Sequence, residues 1–195
     1  LAIACLAAAW SAVVWPAATA GADGAAAAAA VVDDAAAGGD WPAFGRDPGG
    51  SQHSPLKQVD VANVARLKRA WTHRSGDFVD APAPRGSILQ ATPLHAGGSL
   101  FFCTPFNRVF ALDPATGRER WVFDPHSPDP KSGRPALSPP RGAPVRCRGV
   151  AYWQAAPGAP GAPDGSCRAR VFKNGDAGRV YALDAATGRP CADFG

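Results

Sequence analysis

The side chains able to do chemistry in this chain are few and stand apart. The five cysteines are Cys5, Cys103, Cys147, Cys167 and Cys191, and no two have the close spacing that a thiolate metal site or a redox pair needs. There is no C-x-x-C-H, so no c-type haem is attached here. If the chain is exported, Cys167 and Cys191 could join as a disulfide in an oxidising compartment. Reduced core cysteines are the alternative. The four histidines, His53, His73, His95 and His126, are scattered singly and form no ligand pair. Asn174-Gly175-Asp176-Ala177-Gly178 looks acidic enough for a calcium loop, but it lacks the alternating ligands and distal Glu of an EF-hand. Its composition is that of a hairpin turn.

The elements that must position these residues announce themselves by a repeat. Arg108-Val109-Phe110-Ala111-Leu112-Asp113-Pro114-Ala115-Thr116-Gly117-Arg118 returns 71 residues later as Arg179-Val180-Tyr181-Ala182-Leu183-Asp184-Ala185-Ala186-Thr187-Gly188-Arg189. In each copy a β-branched and aromatic run reaches an Asp and then Thr-Gly. The Asp can accept bonds from turn amides and the Gly can take a positive φ, so a strand enters a tight turn. After Gly117 a strand restarts through Arg118-Glu119-Arg120-Trp121-Val122-Phe123. Hairpin units of several tens of residues cannot bury both faces of their sheet alone, which predicts a propeller or solenoid. Pro125 to Pro144 and Pro157 to Pro163 read as loop insertions that lengthen the repeat. Trp71 and Trp121 each close a strand-like stretch, where a flat side chain could dock between neighbouring sheets.

Composition agrees with an all-β reading. The chain has 22 glycines and 20 prolines, over a fifth of its 195 residues, which suits turns and excludes a helical bundle. The net charge of +4 is dispersed, with no basic stripe, so no nucleic-acid partner is expected. Residues 1–21 carry no charged side chain, and about twenty apolar residues cross a ~30 Å hydrocarbon core as a helix. Two readings stay open for this segment. One is a transmembrane helix with Trp10 and Trp15 at an interface and Pro16 at its end; the other is a signal peptide cleaved after Ala18-Thr19-Ala20. Residues 22–39 read as an Ala/Gly-rich linker. The absence of Met, and an end at Gly195 just after a repeated turn, lead to the expectation of an N-terminal piece of a longer chain.

Asp40-Trp41-Pro42-Ala43-Phe44-Gly45-Arg46, Ser54-Pro55-Leu56 and Asn63-Val64-Ala65-Arg66-Leu67-Lys68 resemble the amino-terminal signature of bacterial PQQ-dependent dehydrogenases, with His53 where that signature usually has an aromatic. The resemblance continues through Gln90-Ala91-Thr92-Pro93-Leu94, Phe102-Cys103-Thr104-Pro105 and Cys147-Arg148-Gly149-Val150-Ala151-Tyr152-Trp153. It is strongest to the membrane-bound glucose, quinate and shikimate branch. What it implies is an eight-bladed β-propeller, of which residues 40–195 are the first blades, PQQ near the axis over a calcium or magnesium ion, and electrons passed to ubiquinone.

Carried over residue by residue, Arg148 matches the family arginine that contacts PQQ, and a planar guanidinium suits a carboxylate-bearing cofactor. Gln90 stands where relatives often place a glutamate beside the cofactor, and its amide can hydrogen-bond without bringing charge. No residue here is assigned to catalysis or to the metal, because the base and ligands lie in later blades of the relatives. Gly142 and Ala143 replace the vicinal cysteines of alcohol-oxidising relatives, which points to a sugar or cyclic polyol as substrate; Pro144 replaces a histidine found in glucose dehydrogenases. Glucose oxidised to gluconolactone is the first expectation and quinate or shikimate the next, with the propeller in the periplasm on the bacterial inner membrane and the piece alone inactive. The rivals are a non-catalytic propeller serving as an envelope protein-binding scaffold, and a sugar-binding propeller lectin. Neither needs the signature from Trp41 to Lys68 or Arg148.

Overall fold

In the computed structural model, residues 39–77, 88–127, 147–158, 165–175 and 178–194 are described. The regular structure there is antiparallel β, with one 3-10 turn at Val64–Arg66. The segment 1–21, the linker to residue 38 and most of the two Pro-rich insertions lie outside the described residues.

The first sheet contains β1 (Leu94–Ala96), β2 (Ser99–Cys103), β3 (Val109–Leu112) and β4 (Glu119–Phe123), in that order. The second contains β5 (Ala151–Gln154), β6 (Ala169–Asn174) and β7 (Val180–Asp184). Each strand pairs with the next along the chain, so both sheets are meanders. The two expected hairpins are present: Asp113 to Gly117 joins β3 to β4, and Asp184 to Gly188 follows β7. Of the would-be calcium loop Asn174 to Gly178, Asp176 and Ala177 lie outside the described residues; on either side of them Asn174 pairs with Val180 and Gly175 N–H donates to the Arg179 carbonyl at 2.7 Å.

All four residues of β3 are buried, because both of its faces are covered. On one face Phe101, Cys103, Val109 and Ala111 meet Val171, Leu183 and Ala185 of the second sheet in a single apolar cluster. On the other, His73 packs edge-on against Phe102 and Phe110, at 5.7 and 5.1 Å between ring centres. A sheet with apolar residues on both sides of its central strand needs a neighbour on each side, as blades in a propeller have. Burying one such Phe or Leu contributes about 1.5–3 kcal/mol, so the contact between sheets is a main source of stability.

The tryptophans do dock. Trp121 lies opposite Ala111 in its own sheet and donates its indole N–H to the Ala185 carbonyl of the second sheet's turn at 3.0 Å. Trp71 does the same to Pro114 in the first sheet's turn, also at 3.0 Å. Gly117 and Gly188 sit under these rings at φ +70° and +71°, and a Cβ on either would lie 2.5 Å from the indole. The turn glycine therefore serves two needs, a positive φ and room for the neighbour's ring.

Candidate functional site

The antiparallel meanders give the two sheets a shared pair of rims. One rim carries the docking turns, Asp113 to Gly117 and Asp184 to Gly188. The other is where β1, β3, β5 and β7 begin and β2 and β6 end. Gln90 lies on the approach to β1 and Arg148 on the approach to β5, so both candidate residues reach this second rim. The two approaches come close there: a Cβ on Gly149 would lie 4.0 Å from the Thr92 carbonyl oxygen, and a disulfide joins Cys103, the last residue of β2, to Cys147.

Along this rim the cations differ in their availability. Arg108, entering β3, is held by Asp77 through two hydrogen bonds and also donates to the Ser75 carbonyl. Thr104 adds a hydroxyl donor to the same carboxylate. Hydrogen bonding to Asp77 raises the Arg108 pKa above its ordinary value, so it is a fixed structural charge. Lys173 is buried, and its ammonium donates to the backbone carbonyl and the side-chain oxygen of Asn174 at the end of β6. Arg148, by contrast, is exposed and makes no ion pair or hydrogen bond with another described residue; Gln90 is exposed as well. Among the described residues, then, Arg148 is an exposed cation of this rim, while Arg108 and Lys173 are tied down by hydrogen bonds.

Next to Thr92 the signature segment adds an aromatic wall. Trp41 pairs with His95 through two backbone hydrogen bonds, extending the first sheet beyond β1. The Asp40 carboxylate holds it there, 2.9 Å from His95 Nδ1. Trp41, Phe44, Gln52, Thr92 and Pro93 line an open depression at this edge.

Sequence reasoning did not find Lys173 as a rim cation, although a lysine inside the apolar run Val171-Phe172-Lys173 was a visible signal. It also did not pair Cys103 with Cys147. The other disulfide, Cys167–Cys191, is one of the two alternatives left open by the sequence and is the one the structure contains. Asp193 lies beside it, but both sulfurs are spent in the bond and Asp193 pairs with Arg170 at 2.5 Å, so this grouping offers no metal a set of ligands. Among the described residues no helix is long and apolar enough to cross a membrane; residues 1–21 lie outside them.

Residues 41–195 match the family described as "PQQ: Glucose/ethanol/alcohol dehydrogenase, beta-propeller domain". The chain belongs to this family. Its relatives include quinoprotein glucose dehydrogenase A of Acinetobacter calcoaceticus, 38% identical over 164 residues, and quinoprotein glucose dehydrogenase of Escherichia coli (strain K12), 37% identical over 156. Quinate/shikimate dehydrogenase (quinone) of Acinetobacter baylyi is 36% identical over 167 residues. Each alignment takes in 80% of this chain, and the chain spans under a fifth of these relatives' own length, 19, 18 and 19% respectively. The solved quinohemoprotein alcohol dehydrogenase of Comamonas testosteroni superposes with a TM-score of 0.57 at 27% identity, covering 87% of this chain and 22% of that one. Membership accounts for the meander sheets and for the docking turns that join them.

Proposed function

We propose that residues 40–195 are the opening blades of an eight-bladed PQQ-dependent dehydrogenase that oxidises a sugar or cyclic polyol. Glucose comes first and quinate or shikimate next, in line with relatives that carry those names. In this reading residues 1–21 insert in or pass through the inner membrane, residues 22–39 form a linker, the propeller faces the periplasm, and ubiquinone takes the electrons. Two disulfides among the described residues support an oxidising compartment.

Bound PQQ, with a calcium or magnesium ion held by residues beyond this chain, supplies the two-electron acceptor. What these residues do is bind and orient. Arg148 offers a planar pair of N–H donors to a carboxylate, and Gln90 offers an amide donor and acceptor to the ring edge without adding charge. Arg108 is neutralised by Asp77 and Lys173 is bonded to Asn174, so neither is assigned a part in binding the cofactor.

The observation that carries this reading is the exposed Arg148 guanidinium, with no hydrogen bond or ion pair to another described residue, on the approach to β5 as Gln90 is on the approach to β1. The test is direct titration of PQQ into full-length apoprotein carrying Arg148→Lys. Lysine keeps the charge and loses the fork. One hydrogen bond to a charged group contributes about 1.5–3 kcal/mol, so the dissociation constant should rise roughly ten- to hundred-fold with the fold intact. An unchanged titration would remove Arg148 from the cofactor site.

A further inference from the structure

We propose that the Cys103–Cys147 disulfide is the positioning element for Arg148, holding its guanidinium at the rim for an anionic ligand. This deepens the reading of Arg148 above and rests on it. Cys147 immediately precedes Arg148, and the two point to opposite sides of the chain: Cys147 is 2% exposed while Arg148 faces solvent. Strand pairing begins only at Ala151, so no ladder bond fixes Arg148. Its own side chain contributes no tether to another described residue either.

What fixes this approach segment is the buried contact next door. Cys147 belongs to the apolar cluster shared by the two sheets, with Val150 packed against it, and its sulfur is bonded to Cys103, which is fully buried at the end of β2. Cys103 pairs with Val109 of the fully buried β3, so the anchor is the stiffest part of the first sheet. The bond spans 44 positions of sequence and crosses from one sheet to the other. It thereby ties the Arg148 approach to the sheet that Gln90 enters. The second disulfide is elsewhere: Cys167 precedes β6 and donates its backbone N–H to Asp184 on the docking-turn rim. It therefore serves as an internal control.

The experiment is a double-mutant cycle on full-length apoprotein, read by equilibrium PQQ binding, with near-ultraviolet circular dichroism to verify folding. Cys103→Ala/Cys147→Ala should weaken PQQ binding at least tenfold when Arg148 is present and less than twofold in an Arg148→Ala background. Cys167→Ala/Cys191→Ala should change it less than twofold. Equal weakening in both backgrounds, or no weakening with Arg148 present, would overturn the positioning role and leave the Arg148 reading intact. If Arg148→Ala alone leaves PQQ binding unchanged, that reading fails and this one falls with it. Where the alanine pair does not fold, the Cys167→Ala/Cys191→Ala protein is titrated with PQQ before and after phosphine reduction of its remaining disulfide. A tenfold loss on reduction supports the role, and an unchanged affinity overturns it.

Discussion

The two docking turns are nearly identical in sequence, and the chain leaves them differently. After Gly117 the first sheet continues into β4, a five-residue strand that carries Trp121 outward to the next turn. After Gly188 the second sheet returns through a single bridge, Leu183 to Pro190, and the chain is then fastened by the Cys167–Cys191 bond. The turns also receive their indoles from different places: Trp121 comes from within a sheet, while Trp71 comes from a segment with no strand of its own. What stays constant is the Asp, the Thr-Gly and the ring stacked on the glycine. The turn with its docked ring is therefore the unit that repeats, and the outer edge of each sheet is free to vary.

The largest expected effect comes from removing the ring that joins the two sheets. Trp121→Ala deletes a large side chain packed on Phe101 and a hydrogen bond to Ala185, and should cost about 3–5 kcal/mol. Trp71→Ala should cost less, because its segment stays fastened to the first sheet through His73, Ser75 and Asp77, whereas Trp121 joins two sheets. Urea unfolding of the two variants measures the difference. A larger loss for Trp71 would mean that the first turn, not the contact between sheets, is the stability centre.

Gly117→Ala and Gly188→Ala sharpen the same comparison at smaller cost. Each adds a methyl 2.5 Å from an indole at a φ near +70°. Strain and overpacking together should amount to about 2–4 kcal/mol. Because the two sites are built alike, the two costs should agree within about 1 kcal/mol; if one variant is silent, the ring at that turn is not seated as described.

Those turns were legible in the sequence because everything that makes them is local: an Asp, a Thr and a Gly within five residues, after an apolar run. The turns at 113–117 and 184–188 follow from that pattern; the docking of both tryptophans was expected from propeller periodicity instead. The glycine as the ring's seat was not read, because each indole comes from a segment far off in sequence, Trp71 to Gly117 and Trp121 to Gly188. Cys103–Cys147 was illegible for a different reason, since its partners meet only when two sheets stack, and a spacing of 44 residues says nothing about stacking. Arg148 and Gln90 were singled out by family resemblance, while their common rim depends on the direction of β1 and β5, which a residue list does not contain.

The smallest effect separates the two turn aspartates themselves. Asp113 is pulled down from 3.8 to about 2, first by its hydrogen bond from Arg120 and then by Thr116. Asp184 is also lowered, but differently: burial pushes it up, and the Cys167 amide with the Thr187 hydroxyl and amide outweigh that push. In both cases the folded carboxyl is the stronger acid, so its contribution to stability is present above the ordinary carboxylate range. For Asp113 that contribution is lost as pH falls from about 4 to about 2. The partners predict different responses to salt. Arg120 is a surface cation 3.0 Å from Asp113, and at about 1 M salt the screening length shrinks to about 3 Å, which weakens such a pair. The partners of Asp184 are neutral dipoles that salt does not screen. Carboxyl-carbon NMR titrations at low and high salt should therefore show Asp113 rising toward its ordinary value while Asp184 stays in place. Arg120→Gln should reproduce the Asp113 rise at low salt and leave Asp184 unmoved. A parallel shift of both aspartates would show that general surface charge, rather than Arg120, sets the acidity of the first turn.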